Sequence, residues 1–502
     1  MNRPPRAARR IREMATSREL PDTPFPFHSV SNGEWLPPSP TPQQRAAARL
    51  YVEESERRAR RLSISRREFM RSAAGMATAF MVLNTVSGLA CTGPEAILPV
   101  TPDQCDDPEA AAELFVNNYF VMDVQLHHVD STAFPIEFWR FISQQIGSQL
   151  PRFYHPNDPA GLTDVETLNL LSQVNFVKEV FVDSETDVGV ISGVPNGVPL
   201  PVETMAATRD LVNDLAGSER ALIQAMIAPN HADPNHATAL GSLEHQVIDN
   251  GARAIKCYPG SDLWWLDDEQ IAYPMYEEAR RLGLGLVNVH KGFPLGNNSA
   301  SADYWKTTDL AAATRDWPDI NFMIYHSGYF PPTNPYGFTP GIALFLDDIA
   351  AMGTRENLYA EVGSTFANSL FSPESAAHLL GQLLGALGSS KIVWGTDSIW
   401  WGSPQWQIDA LKVLQIPESM QAEFGYPALN DCDKERILGL NAAGLYGVDV
   451  NAVRGTIRAD QLSAWRDEMG GPEATRSHYV YGPESPGEFE DLMAHAGDLE
   501  SE

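Results

Sequence analysis

The sequence predicts an α/β protein built on a (β/α)8 TIM barrel, with a disordered N-terminal leader and a C-terminal extension. Three observations carry that prediction. From about Ala110 the chain alternates short apolar runs with amphipathic helical stretches, the pattern of a parallel sheet wrapped by helices. Eight such runs precede residue 400, and several are apolar throughout, as expected of strands covered on both faces. Polar residues suited to chemistry end several of the runs, and the C-terminal ends of its strands are where a barrel of this kind does its work.

In chain order, residues 1–64 form the leader. They are rich in Arg, Pro and Ala with little apolar periodicity, which predicts disorder or at most local helix. Residues 65–90 read as an export signal: Arg66-Arg67 with Phe69 close behind, then an apolar, small-residue run from Ala73 to Ala90. The arginine pair resembles a twin-arginine signal, which implies the twin-arginine export machinery as a partner and a periplasmic or extracellular destination. Gly75, Asn84, Thr85 and Gly88 make the run poor as a membrane-spanning helix. Cleavage after Ala90 is expected. Lipid anchoring at Cys91 is the weaker alternative, because Gly88 and Leu89 stand in the wrong order for it.

The barrel is expected over residues 110–450. Its strands are read as Phe120–His127, Val188–Val194, Ala221–Ala228, Ala252–Tyr258, Gly285–His290, Asn321–His326, Leu358–Val362 and Lys391–Thr396. Helices are expected at Thr204–Leu215, Asn235–Asn250, Tyr273–Leu282, Ser375–Leu387 and Lys434–Tyr446, with Gly251, Gly283 and Gly388 just beyond three of them, where a left-handed cap is wanted. Residues 451–502 turn acidic and are read as an extension packed on the barrel or partly disordered.

Charge narrows the function classes. The formal net charge is −29, yet residues 1–90 hold 15 Arg, no Lys and 8 acidic residues, so the remainder carries −36. Such a surface repels nucleic acid and anionic membranes. The four cysteines form no CxxC pair, which argues against a zinc knuckle; Cys91 and Cys105 are candidates for a disulfide after export.

The candidate site is made by His127 at the end of strand one, His290 at the end of strand five, His326 at the end of strand six and Asp397 just after strand eight. Alternation along a strand puts residues i and i+2 on one face, so Gln125 and His127 share the barrel mouth while His128 points toward the helices. The pieces Asp123-Val124-Gln125-Leu126-His127, Val289-His290-Lys291-Gly292, Tyr325-His326-Ser327-Gly328, Trp394-Gly395-Thr396-Asp397 and Asn441-Ala442-Ala443-Gly444-Leu445-Tyr446 appear in this order. Together they resemble the amidohydrolase superfamily over residues 118–450, in the amidohydrolase-related branch that includes aminocarboxymuconate-semialdehyde decarboxylase.

The resemblance implies a set of roles. Gln125, His127, His290 and Asp397 would hold one divalent metal, zinc or else manganese; His326 would take a proton from the attacking water, and Asp397 would shuttle protons to the leaving group. Gln125 departs from the family's His-x-His, and a carboxamide oxygen is a weaker zinc ligand than imidazole. A metal-free site is therefore an alternative, as is loss of activity. The expected function is hydrolysis of a small cyclic amide, ester, lactone or related C–N bond. The rivals are non-oxidative decarboxylation of an aromatic or unsaturated acid and a catalytically inactive binding protein. The partner is a small-molecule substrate, and a homo-oligomer is an open alternative. Lys256 is a candidate contact for a substrate anion, and Glu361 is either a polar wall residue or a satisfied barrel glutamate. Trp264, Trp265, Trp305, Tyr329, Phe330, Trp400 and Trp401 either grip substrate or pack the barrel top, beside a stiff lid at residues 331–335.

Overall fold

In a computed structural model the described residues are 23, 25–29, 39–130, 172–193, 200–231, 236–294, 299–332, 334, 336–353, 355–457 and 459–468. Eight parallel strands follow chain order: β1 Met122–Leu126, β2 Val188–Ile191, β3 Ala221–Met226, β4 Ala254–Cys257, β5 Leu286–His290, β6 Asn321–Tyr325, β7 Leu358–Glu361 and β8 Ile392–Val393. The segment after β8 brings the sheet round onto β1: Val124 N donates to Trp394 O at 3.1 Å, Asp397 N to Gln125 O at 2.9 Å and Ile399 N to His127 O at 3.2 Å. This is a (β/α)8 TIM barrel. All eight expected strands are present. Helices Val202–Ala216, Ala239–Ile248, Ala272–Arg281 and Pro373–Leu387 match the expected ones within a few residues, and Gly251 and Gly283 take positive φ of 73° and 78° as caps.

Inward-facing side chains fill the lower barrel. Met122, Val124, Val188, Val190, Leu222, Ala254, Leu286, Met323, Tyr325 and Val393 form one buried cluster, closed from below by Tyr446 of the Asn441–Tyr446 helix. The second and larger core lies between the strands and their helices. β1 carries an irregularity between Asp123 and Leu126. A bulge adds a residue to one strand and redirects the side chains beyond it, so Val124 joins the lower core while Gln125 and His127 face the mouth.

The largest difference from expectation is at the N-terminus. Where disorder or at most local helix is expected to residue 64, helix α1 runs from Pro42 to Leu62, capped by a Thr41–Gln44 capping box. Helix α2 (Arg66–Arg71) and helix α3 (Ala73–Ser87) follow, each started by a serine cap. The stripe that buries α1 is made of Ala46, Ala47, Ala48, Tyr51 and Ala59, and alanines give little hydrophobic contrast to read. α3 is apolar on every side and buries eleven of its fifteen residues, as a helix without a polar face must. These helices pack outside the barrel. Phe25, just upstream of them, stacks edge-on against Trp406 of helix Gln405–Val413 at 5.2 Å and against Phe371 at 6.2 Å.

At the other end, helices Val450–Ile457 and Gln461–Glu468 continue the fold past residue 451. They are tied down by the buried pair Arg220–Asp460 at 2.7 Å and by Arg466, which donates to Phe181 O and Val182 O. Residues 469–502 lie outside the described set. Among the described residues no helix is long and apolar enough to cross a membrane.

Candidate active site

The C-terminal ends of β1, β5, β6, β7 and β8 converge on one buried polar cluster. Gln125 sits at its centre. Its amide nitrogen lies 3.2 Å from Asp397 Oδ1 and 3.4 Å from His326 Nε2, so its two hydrogens can serve one acceptor each. His127 Nε2 also approaches Asp397 Oδ1, at 3.2 Å. Asp397 Oδ2 accepts from Ser364 Oγ at 2.5 Å, and Ser364 Oγ accepts in turn from Trp401 Nε1 at 2.9 Å.

The tautomer of His326 follows from its neighbour. Its Nδ1 lies 2.7 Å from the Gly363 carbonyl, an oxygen that can only accept, so Nδ1 carries the hydrogen. Nε2 is then the proton-accepting nitrogen of the neutral ring and faces Gln125. Burial lowers His326 to about 4, with the Asp397 charge pulling the other way and Lys256 adding to the fall. Burial pushes the Asp397 carboxyl up, but the His127 bond, the charges of His127 and His326 and the Ser364 bond outweigh it and leave Asp397 below its ordinary value.

The loops that present these groups are strained. His326, Ser327, Ser364 and Asp397 all have positive φ, at 63°, 51°, 54° and 62°. Non-glycine residues rarely adopt such values, and they collect at functional sites where surrounding structure enforces them. Glu361 on β7 is one enforcer: its carboxylate accepts from the backbone N–H groups of His326 (2.8 Å) and Gly363. Burial raises it to about 8 against the pull of those two bonds. It is thus a satisfied barrel glutamate with a positioning role. Asp123 is another, accepting from Gln125 N at 3.0 Å and Thr396 N at 3.1 Å and so clipping the Gly395-Thr396-Asp397 turn to β1.

His290 meets the cluster at His326. Its Nε2 faces the Phe293 carbonyl at 3.2 Å, its ring stacks on Tyr258, and it meets His326 edge-on at 4.6 Å. Burial, followed by the charges of His326 and Lys256, holds it well below its ordinary value. Lys256 is buried on β4, its ammonium 3.3 Å above the Tyr325 ring. His128 points outward as expected, with Nε2 2.9 Å from Thr208 Oγ1 of the Val202–Ala216 helix.

The expected metal set can be tested against this geometry. Among the described residues no three of His, Cys, Asp and Glu gather as an ion-binding group. His127 and Asp397 converge, Gln125 contributes a carboxamide, and the Nε2 of His290 is turned onto a carbonyl. His127, Asp397 and the Gln125 carboxamide are the donors that could hold an ion, and no chemical step is routed through one.

Most of the aromatic residues pack. Trp264, Trp305, Phe330 and Trp401 are buried, and Trp305 Nε1 donates to Ser301 Oγ at 3.2 Å. The lid segment 331–335 falls partly outside the described residues. Sequence reading missed Ser364 as a site residue and named Trp401 only as an aromatic that grips substrate or packs the barrel top. Ser364 follows β7 directly, the kind of place that marked His326 and Asp397.

A family model described as Amidohydrolase matches residues 187–448, more than half of the chain. The chain belongs to the amidohydrolase family. It is an enzyme of the amidohydrolase type, and enzymes of this family act on small molecules and usually use a divalent metal. Among solved structures it is similar to 5-carboxyvanillate decarboxylase from Sphingomonas paucimobilis, at 13% identity and a TM-score of 0.42, covering 66% of this chain and 100% of that one. It is also similar to 2,6-dihydroxybenzoate decarboxylase from Rhizobium, at 16% identity, TM-score 0.40 and coverage of 66% and 99%. A third is a probable 2-pyrone-4,6-dicarboxylic acid hydrolase from Acinetobacter baumannii, at 14% identity, TM-score 0.40 and coverage of 65% and 99%. At such identities the likeness carries no substrate over to this chain. No curated protein matches the sequence.

Proposed function

We propose that this amidohydrolase hydrolyses a small cyclic amide, ester, lactone or related C–N bond, with His326 as the general base. The single observation that carries the reading is the His326 Nδ1–Gly363 O bond of 2.7 Å, which fixes Nε2 as the proton acceptor at the barrel mouth. Water attacks the substrate carbonyl and its proton passes to His326 Nε2. The imidazolium so formed lies beside the Asp397 carboxylate, which stabilises it. The same proton then goes to the departing nitrogen or oxygen, with Asp397 as the shuttle. Gln125 bridges base and carboxylate in the resting site, and its N–H gives up the His326 Nε2 lone pair to the attacking water before the proton moves. The Lys256 ammonium supplies fixed positive charge near the developing oxyanion.

Zinc is the ion this reading would add first, with His127 and Asp397 as its anchors. Metal analysis of the purified protein reads that part separately, and a firmly held ion at one per chain would require a fuller donor set than the one described. Lys256 also favours a second reading, non-oxidative decarboxylation, because a buried ammonium suits a substrate carboxylate. A panel of lactones, cyclic amides, esters and aromatic acids, with product mass and released carbon dioxide both measured, separates the two. Turnover is expected without carbon dioxide and is expected to fall steeply in His326→Asn. Carbon dioxide as the main product, or a fully active His326→Asn, would overturn the hydrolase reading.

We also propose routing through the twin-arginine machinery, supported by Arg66 and Arg67 standing exposed on α2. Replacing both by lysine should hold the protein inside the cell, and unchanged export would refute the route.

A further inference from the structure

We infer that residues 42–90 remain with the enzyme as a permanent structural layer, rather than leaving as a leader cut after Ala90. The argument rests on contacts that cross the expected cleavage point. Arg58 of α1 is 4% exposed and forms ion pairs with both Glu54 and, at 3.1 Å, Asp106 on the far side of residue 90. Arg61 reaches the same Asp106 carboxylate at 2.6 Å. Asn84 of α3 is buried and donates to Leu98 O at 2.7 Å. Cutting after Ala90 and removing the leader would strip Asp106 and the Leu98 carbonyl of these partners. It would also bare the apolar surface that α3 covers, and a monomer seldom leaves a broad apolar patch open to water.

The polar contacts matter more than the apolar ones here. Any oily signal segment finds an oily surface to lie on. A buried arginine set between a carboxylate of its own helix and one beyond the cut needs matched partners on both sides, and an unpaired buried charge is costly.

The layer also continues into the barrel. Residues 93–97, just past the cut, are held by Gln415, whose N donates to Ile97 O at 2.9 Å and whose Nε2 donates to Gly93 O and Ala96 O. Phe25 meets Phe80 of α3 at 6.1 Å and Trp406 at 5.2 Å. Trp406 Nε1 donates to Trp401 O at 3.1 Å, and Trp401 holds Ser364 against Asp397. The layer therefore backs the wall that positions the site carboxylate, and Ser364 and Trp401 are positioning residues. The occupant of this surface is the chain's own N-terminal segment.

The test uses the full chain. A protease recognition sequence is inserted after Gly93, in the exposed turn at residues 92–95, and the native protein is cut. The N-terminal fragment is expected to stay with the barrel through size-exclusion chromatography and to unfold in the same thermal transition. A fragment that separates from a soluble barrel of unchanged melting temperature would overturn the inference. Arg58→Leu should then release the fragment from cut protein, and equal retention would show that the Asp106 contact does not hold the layer. Intact mass of protein recovered from the producing cells gives an independent reading: the 42–90 segment should be present, and a chain starting near Cys91 would refute retention.

Discussion

The lower and upper halves of the barrel interior stand on the same eight strands but follow different rules. The lower half is Met122, Val124, Val188, Val190, Leu222, Leu286 and Met323, an apolar packing that the rings of Tyr325 and Tyr446 complete. The upper half begins where β1 bulges and holds Gln125, His127, His326, Glu361 and Asp397 at full burial. Its loops take left-handed backbone that no isolated peptide would choose. The contrast shows a division of labour: close packing below supplies the stability that lets the mouth hold strained, desolvated polar groups in fixed positions.

Substitutions at the two levels should therefore separate activity from stability, and the first is the largest. His326→Asn is expected to lower kcat/KM by about 10²–10⁴-fold on whichever panel compound turns over, with the urea midpoint little changed. A large loss of midpoint would instead make His326 a structural residue. In the lower half Leu222→Ala should cost about 2–5 kcal/mol of stability, read from denaturant unfolding, while kcat at low temperature stays near that of the parent. A selective loss of kcat there would break the division.

Gln125→His sharpens the contrast within the mouth itself. It trades the amide bridge for the imidazole of the family's His-x-His, and zinc titrated into the apoprotein should bind more tightly than in the parent. Equal affinity would mean that the His290 placement, not Gln125, limits the ion site. The smallest effect is expected from Trp401→Phe, which deletes one hydrogen bond to Ser364 worth about 1 kcal/mol. It should alter kcat more than KM, because Ser364 steadies Asp397; an effect on KM alone would assign Trp401 to substrate contact.

The barrel was legible because the strands are compact apolar runs, several of which end in a polar residue, and periodicity and position reinforce each other along residues 188–397. The site was legible as far as the strand-end rule reaches: Gln125, His127, His326 and Asp397 do meet. His290 ends its strand as expected, yet its ring orientation depends on the Phe293 carbonyl three residues on, in a turn whose shape no strand pattern encodes. Ser364, Trp401, Glu361 and Asp123 act through partners up to 273 residues away in the chain, a pairing that local pattern cannot reveal. The N-terminal layer escaped for a different reason. An alanine stripe on α1 gives little contrast to read, and the docking of α1 and α3 rests on contacts such as those of Arg58 and Asn84 across residue 90, which no local pattern encodes.

Ser364 has one more consequence, for anyone who engineers this enzyme. Its backbone, at φ 54° and ψ −34°, suits glycine far better than serine. Screens that select for heat resistance should be drawn to Ser364→Gly as a relaxing change. Each such gain would delete the hydroxyl that accepts from Trp401 and donates to Asp397. A campaign for a tougher protein, run without an activity filter, would therefore tend to evolve a sturdier and duller one.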